Sequence, residues 1–171
     1  MIVACKPAIL RLGILFLALF VAACSSSGTL QKVQSSGVSI KPNSVAALNV
    51  TSPSDADSLE AAEELRSRLF GSLVSQGLFE QVVPPSKPAD YELTVALSGI
   101  SEVSQGARIF FGVLAGSNKL TADVKLRDST DDSVVRAFVV GGESAAHPLS
   151  SENDMGDAIR EASSRIIQAL R

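Results

Sequence analysis

The sequence predicts an α+β fold, a two-layer sandwich in which a mostly antiparallel sheet of about four to five strands carries two helices on one face. Two segments, one after Ser54 and one after Ser151, repeat apolar residues at three- and four-residue steps, as amphipathic helices do. Two others, from Tyr91 and from Leu120, alternate apolar and polar residues, which is typical of strands buried on one face. Both helices must cover the same sheet, so we expect them on one side of it.

The beginning of the chain has the pattern of a signal peptide. Two basic residues precede an unbroken apolar stretch, Leu12–Ala23, which ends in Val21-Ala22-Ala23 directly before Cys24. This ending resembles the lipobox of bacterial lipoproteins. The resemblance implies cleavage before Cys24, acylation of that cysteine and a membrane anchor of two or more acyl chains.

Two other interpretations of this segment are a transmembrane anchor and a non-lipidated signal. A transmembrane anchor is disfavoured because twelve apolar residues cover roughly 18 Å of helix, against about 30 Å of hydrocarbon. The other alternative is a non-lipidated secretory signal cut after Ala23. In the Gram-negative lipoproteins that the segment resembles, an aspartate after the cysteine marks inner-membrane retention, and Ser25 stands there instead. The resemblance therefore implies the periplasmic face of the outer membrane, with surface exposure as the alternative.

Composition divides the chain into three parts: a signal peptide over residues 1–23, a flexible tether over residues 24–37 and a single periplasmic domain over residues 38–171. The tether is predicted because Ser25–Gly37 is rich in small residues and lacks periodicity. Cys5 and Cys24 are the only cysteines, so the domain has no thiol left for a disulfide. Without the signal, 13 basic side chains face 18 acidic ones, and this balance argues against a nucleic-acid partner.

The first half of the domain is predicted to form a strand, a helix and a short strand. The apolar run Val45–Val50 is bounded by proline-containing turns and indicates a buried strand. A capping box at Ser54–Asp57 begins the helix, and Gly77 ends it. The buried stripe of this helix is predicted to contain Leu59, Ala62, Leu65, Leu69 and Leu73. Phe79–Val83, just before several prolines, is predicted to be an edge strand.

The second half adds three strands and a helix. After the alternating strand from Tyr91, the strand Leu120–Leu126 is joined by the polar turn Asp128–Asp132 to Val134–Gly141, which predicts an antiparallel hairpin. Ser151–Asp154 can cap the second helix. Its apolar stripe is predicted to contain Met155, Ala158, Ile159, Ala162, Ile166 and Leu170.

The segment Gly106–Gly116 places many apolar residues between two predicted strands. One interpretation is a buried, bulged corner in which its glycines allow close packing. The other is an exposed apolar patch that contacts a partner protein or lipid. The candidate contact residues are Arg108, Phe110, Phe111, Val113 and Leu114.

Several motifs of the domain resemble known envelope lipoproteins. The run Ala89-Asp90-Tyr91-Glu92-Leu93, after a capped helix, is similar in context to the transport-auxiliary lipoproteins and to the amino-terminal domain of the Tol-Pal propeller protein. Arg108–Gly116, followed by Leu120–Asp128 and Phe138–Gly142, resembles an uncharacterised family of bacterial lipoproteins known only as a domain of unknown function. The resemblance covers roughly residues 45–170 and implies no catalytic residues.

The residues offer no recognisable catalytic or metal constellation. His147 is the only histidine, and a Ser-His-Asp triad would also need a positioned serine and an oxyanion site. The acidic turn Asp128–Asp132 lacks the spacing of a calcium loop. We therefore expect no enzyme activity, no metal and no cofactor. The sequence favours a membrane-anchored accessory module with an envelope protein as its partner, and the alternative is a carrier of lipid or a small apolar ligand.

Overall fold

The computed structural model describes residues 26–102, 116–145 and 154–171. The described residues form six strands and two helices. In chain order these are β1 (Ser27–Ser35), β2 (Val45–Thr51), α1 (Ala56–Ser75), β3 (Gln81–Val83), β4 (Tyr91–Ser101), β5 (Lys119–Asp128), β6 (Val134–Glu143) and α2 (Asp154–Leu170). None of the described helices combines the length and the apolar character needed to cross a bilayer.

The strands form one mixed sheet in the order β1-β6-β5-β4-β2-β3. The pairs β1–β6, β6–β5 and β5–β4 are antiparallel, whereas β2 is parallel to both β4 and β3. The α+β class is confirmed, but the prediction of a mostly antiparallel sheet with four to five strands was wrong. The parallel pairs arise because α1 lies between β2 and β3 and carries the chain back to its starting edge.

Both helices pack on the same face of the sheet, as predicted. Helix α1 covers β2, β3 and β4, while α2 covers β1, β5 and β6 and also contacts α1. The core between the layers is built from alternate strand residues such as Leu93, Val95 and Val124, together with Leu65 and Ile166 of the helices. The other face of the sheet has no helix from the described part of the chain.

Helix α1 begins and ends at the predicted motifs. Asp55 is the N-cap, and its carboxylate accepts a hydrogen bond from the Ser58 amide at 2.9 Å. Gly77 follows the helix with a φ of +68°, where a side chain would be strained. The predicted buried stripe needs one correction, because Leu59 is 55% exposed. Ser58 and Ala61 are buried instead, so the helix is rotated slightly from the predicted phase.

The main difference from the prediction is at the amino end of the domain. Ser27–Ser35, which was predicted to belong to a flexible tether, forms β1 and pairs antiparallel with β6. The register shifts between Gln31 and Gln34, where the strand contains a bulge. The small and polar residues of this segment predict a flexible chain. The segment is ordered instead because its backbone pairs with β6, a strand distant in sequence, which composition does not reveal.

Candidate functional site

The candidate residues from the sequence all lie outside the described residues. This holds for the predicted lipid-bearing Cys24, for the predicted contact residues and for His147. The predicted contact residues are Arg108, Phe110, Phe111, Val113 and Leu114. These assignments therefore stay predictions. The described surface offers three other features that can contact a partner.

The first feature is the end of the sheet where the described chain begins. Across four adjacent strands, Ser27 lies opposite Glu143, Glu143 opposite Lys119, and Lys119 opposite Ser101. We call this row of four residues the anchor end. The described neighbours of the segment 103–115, Glu102 and Gly116, follow and precede strands that meet at this row.

Charged and hydroxyl groups at the anchor end hold one another in place. The Lys119 ammonium lies 3.4 Å from a carboxylate oxygen of Glu143, and the Ser117 hydroxyl donates to the same oxygen. The hydrogen bond from Ser117 and the positive charge of Lys119 lower the pKa of Glu143. The Ser26 hydroxyl donates to the Glu161 carboxylate at 3.2 Å, so the chain is already fixed to α2 before β1 starts.

The second feature is the open face, the side of the sheet opposite the two helices. Here side chains of β1, β4, β5 and β6 line a shallow groove of about 410 Å³. Its outward-facing lining consists of Gln34, Glu92, Thr94, Ala96, Asp123, Lys125, Arg127, Ala137 and Val139. Most strand residues on this face are polar or small, because the large aliphatic residues of the same strands point into the core.

Charges of both signs alternate across the open face. Glu92 of β4 lies opposite Arg127 of β5, so a carboxylate and a cation are neighbours on adjacent strands, and Asp123 lies on the same face of β5 as Lys125 and Arg127. Arg127 also forms an ion pair with Asp132 at 2.7 Å, on the turn after β5. A groove of this kind can bind a polar partner through hydrogen bonds and charge pairs. The aromatic residue that the described residues contribute to this lining is Phe138, which is buried in the core, whereas an apolar ligand site is usually walled by exposed aromatic side chains.

The third feature is a set of exposed apolar side chains at the two edges of the sheet. Phe70 and Val74 of α1 are four residues apart, and Leu59 lies about three turns before Phe70, so they share one stripe. The side of α1 that faces α2 contains Ser72 and Gln76, which point away from this stripe. The stripe therefore lies on the β3 side of the molecule. At the opposite edge, Leu30, Val33 and Val38 are exposed on and after β1.

The acidic turn after β5 is a structural turn in which the carboxylates bind backbone. Asp128 accepts a hydrogen bond from the Thr130 amide, and Asp131 accepts one from the Ser133 amide, each at 2.9 Å. These hydrogen bonds lower the pKa of both aspartates. Among the described residues, no three His, Cys, Asp or Glu side chains are placed to hold a metal ion.

Sequence reasoning found the outward residues of β5 but did not combine them into a site. Lys119, Asp123, Lys125 and Arg127 follow from the alternation of that strand, whereas their neighbours on β4 and β1 depend on the strand order. The anchor end was missed because β1 was not predicted. A weak signal was available, since Leu30 and Val33 are apolar residues within the polar segment.

Comparison with known proteins identifies a family and a fold. Residues 30–148 match a family described as a domain of unknown function, DUF4410. This match confirms the predicted resemblance to an uncharacterised family. No curated protein sequence matches the chain.

Solved structures resemble the chain at low identity. A PelC dodecamer from Paraburkholderia phytofirmans is 16% identical, with a TM-score of 0.58 over 84% of this chain and 96% of that one. Protein XCC0632 from Xanthomonas campestris is 14% identical, with a TM-score of 0.46 over 86% and 92% of the two chains. The lipoprotein GNA1162 from Neisseria meningitidis is 11% identical, with a TM-score of 0.42 over 72% and 96%. The PelC likeness shows a shared fold.

Proposed function

This chain belongs to the DUF4410 family of domains of unknown function, and on that premise we propose that it is a non-catalytic lipoprotein of the bacterial envelope. In this proposal Cys24 carries the acyl chains that hold the protein on the periplasmic face of the outer membrane. The folded domain then serves as an interaction module for an envelope complex. The family match supports the assignment to an uncharacterised family, and the lipobox pattern supports the anchor.

The open face is the observation that carries the interaction role. Among the described residues the helices cover one face of the sheet, and the other face is a groove lined by Glu92, Asp123, Lys125 and Arg127. Charges of both signs in a shallow groove favour a polar protein surface of complementary charge. The same lining weighs against the alternative of a lipid or apolar ligand carrier, because an acyl chain would remove these charges from water and offer them no hydrogen bond.

In our proposal the domain also binds further copies of the same chain. Exposed apolar side chains lie at both edges of the sheet, with Phe70 and Val74 on one side and Leu30 and Val33 on the other. Contact between two different edges is head-to-tail, and such contacts form rings when the rotation closes. The structural relative PelC crystallised as a dodecamer, which supports self-association as a property to test for this fold.

The anchor is tested by replacing the acyl-bearing residue. We expect Cys24→Ala to abolish incorporation of labelled fatty acid and to release the protein from the membrane fraction of the native cells. A matched control, Cys5→Ala, changes a cysteine within the predicted signal and should leave fatty-acid incorporation and membrane association unchanged. A wild-type mature chain with an unmodified Cys24, measured by mass spectrometry, would refute lipidation.

The interaction role is tested by photocrosslinking in intact cells. A photoreactive residue at Val139 in the groove should give a recurrent adduct with a protein other than this chain, and the same residue at Glu60 on the exposed side of α1 should not. Reversing a groove charge with Lys125→Glu should reduce the adduct severalfold in a chain that is still folded. A probe at Phe111 tests the predicted contact segment in the same cells, and adducts only with lipid there would favour the carrier. Equal adducts from Val139 and Glu60 would contradict the groove as the interaction surface.

A further inference from the structure

We propose that the domain stands upright on the membrane with its anchor end against the lipid surface, held there by a two-residue connector. This inference rests on the proposed acylation of Cys24. It replaces a freely tilting domain by one with a fixed orientation. The partner of the anchor end is then the polar surface of the bilayer.

The connector is short because β1 starts almost directly after the anchor. Only Ser25 and Ser26 separate Cys24 from Ser27, the first residue of β1. Three Cα steps span at most about 11 Å, even in a fully extended chain. If Ser25–Gly37 formed the flexible tether predicted from its composition, these thirteen residues would reach about 20 Å and leave the orientation of the domain free. The acyl chains therefore hold Ser27 close to the headgroups.

The rest of the anchor end follows Ser27, because β1 is part of the sheet. Ser27 pairs with Glu143, and the Ser26 hydroxyl is bonded to Glu161 of α2, so the beginning of β1 is fixed to two other elements. Neighbouring strands lie about 4.8 Å apart, which places Ser101 of β4 roughly 14 Å along the same edge from Ser27. The whole row lies at one height of the sheet.

The opposite end of the sheet is far from this row. Strand β5 has ten residues, Lys119–Asp128, and rises about 30 Å from the anchor end to the turn at Ser129. A 30 Å difference in height separates residues in contact with headgroups from residues in open water. Lys119 is well placed for lipid phosphate, because its side chain is 60% exposed at the anchor end while its ammonium also pairs with Glu143.

The two ends offer a matched pair of labelling sites. Ser101 and Ser129 are both exposed serines, and Ser101→Cys and Ser129→Cys each add one thiol to a mature chain whose own Cys24 is acylated. The full acylated protein is reconstituted in phosphatidylethanolamine–phosphatidylglycerol vesicles that contain headgroup spin-labelled lipid, and a fluorophore on each thiol is measured. We expect quenching at position 101 to exceed quenching at position 129 severalfold. Equal quenching, or stronger quenching at position 129, would overturn the upright orientation.

A variant with a lengthened connector tests whether the short connector causes the upright orientation. Ten Gly and Ser residues inserted between Ser25 and Ser26 add roughly 17 Å of flexible chain, and the quenching at the two positions should become similar. Persistence of the difference would overturn the connector as its cause. Flotation with the vesicles separates this inference from the proposed function. A chain that fails to float contradicts lipid anchoring, whereas a chain that floats with equal quenching contradicts only the orientation.

Discussion

At Gly142 the sheet and helix α2 approach so closely that one methyl group has no space. A Cβ built there would lie 1.8 Å from the Ala158 carbonyl oxygen and 2.9 Å from the Ala162 amide nitrogen. Both atoms belong to helix backbone and cannot rotate away as a side chain would. The glycine thus fixes how near α2 lies to β6, which in turn sets the packing of the core beneath that helix.

We predict that Gly142→Ala lowers the free energy of unfolding by about 1–3 kcal/mol, since the helix must move away from the sheet. Urea unfolding of the mature chain, made soluble with Cys24→Ser, measures this change. Gly71→Ala is the matched control. It lies in α1 with nothing within 4 Å of the added Cβ, and it should raise stability by up to about 1 kcal/mol. An unchanged stability in Gly142→Ala would contradict the tight helix approach.

Asp55 provides a residue-scale prediction about acid. Its hydrogen bond from Ser58 lowers its pKa in the folded state, so its contribution to stability is present above the ordinary aspartate range and is lost as the pH falls through the folded-state pKa. Asn caps a helix as well as Asp but does not titrate in this range. We expect Asp55→Asn to lose less stability than the wild type between neutral pH and about pH 3. Urea midpoints at both pH values test this, and parallel losses would disprove it.

At the scale of elements, periodicity located the helices and most strands but not how the strands are paired. Strand β4 shows its buried face through Tyr91, Leu93 and Val95, yet the same alternation is compatible with a parallel or an antiparallel neighbour. The parallel pairs depend on the crossover through α1. Strand β1 lacks a buried row of its own, and its bulge between Gln31 and Gln34 breaks the alternation that would have identified it.

Removing β1 gives a direct test of its place in the fold. A chain that starts at Val38 should unfold at lower urea concentration than one that starts at Ser26, because β6 loses the strand that pairs with it and α2 loses part of the surface it covers. Both chains lack the anchor, so the comparison isolates β1. Identical midpoints would restore the interpretation of residues 26–37 as a tether.

At the scale of the whole molecule, the candidate surfaces differ in whether they can be predicted from the sequence alone. The predicted Cys24 and the residues around Phe111 come from local patterns, a lipobox and an apolar run. The groove does not, because Glu92 and Lys125 look like ordinary solvated residues of two separate strands. They share a surface only after the strand order places β4 beside β5, on the face to which the described part of the chain contributes no helix.

Self-association is the prediction that belongs to this scale. We expect the mature Cys24→Ser chain to form oligomers as its concentration rises, and Phe70→Ser with Val74→Ser to shift it towards the monomer by removing exposed apolar area. Light scattering after size-exclusion chromatography measures the mass. Glu60→Ser, at another exposed position of α1, should leave the mass unchanged. A mature Cys24→Ser chain that stays monomeric at every concentration would rule out the edge-to-edge contact.

The pairing of β1 with β6 also determines the order of folding during synthesis. Ser27 pairs with Glu143, so the first strand of the domain has no partner in the sheet until the chain through β6 has emerged. Contacts this distant in sequence close late, because a long loop must first be confined. Residues Ser27–Ser35 therefore have no strand to pair with while most of the domain is still being made. The last step of folding then adds β1 to the edge of a sheet that is otherwise complete.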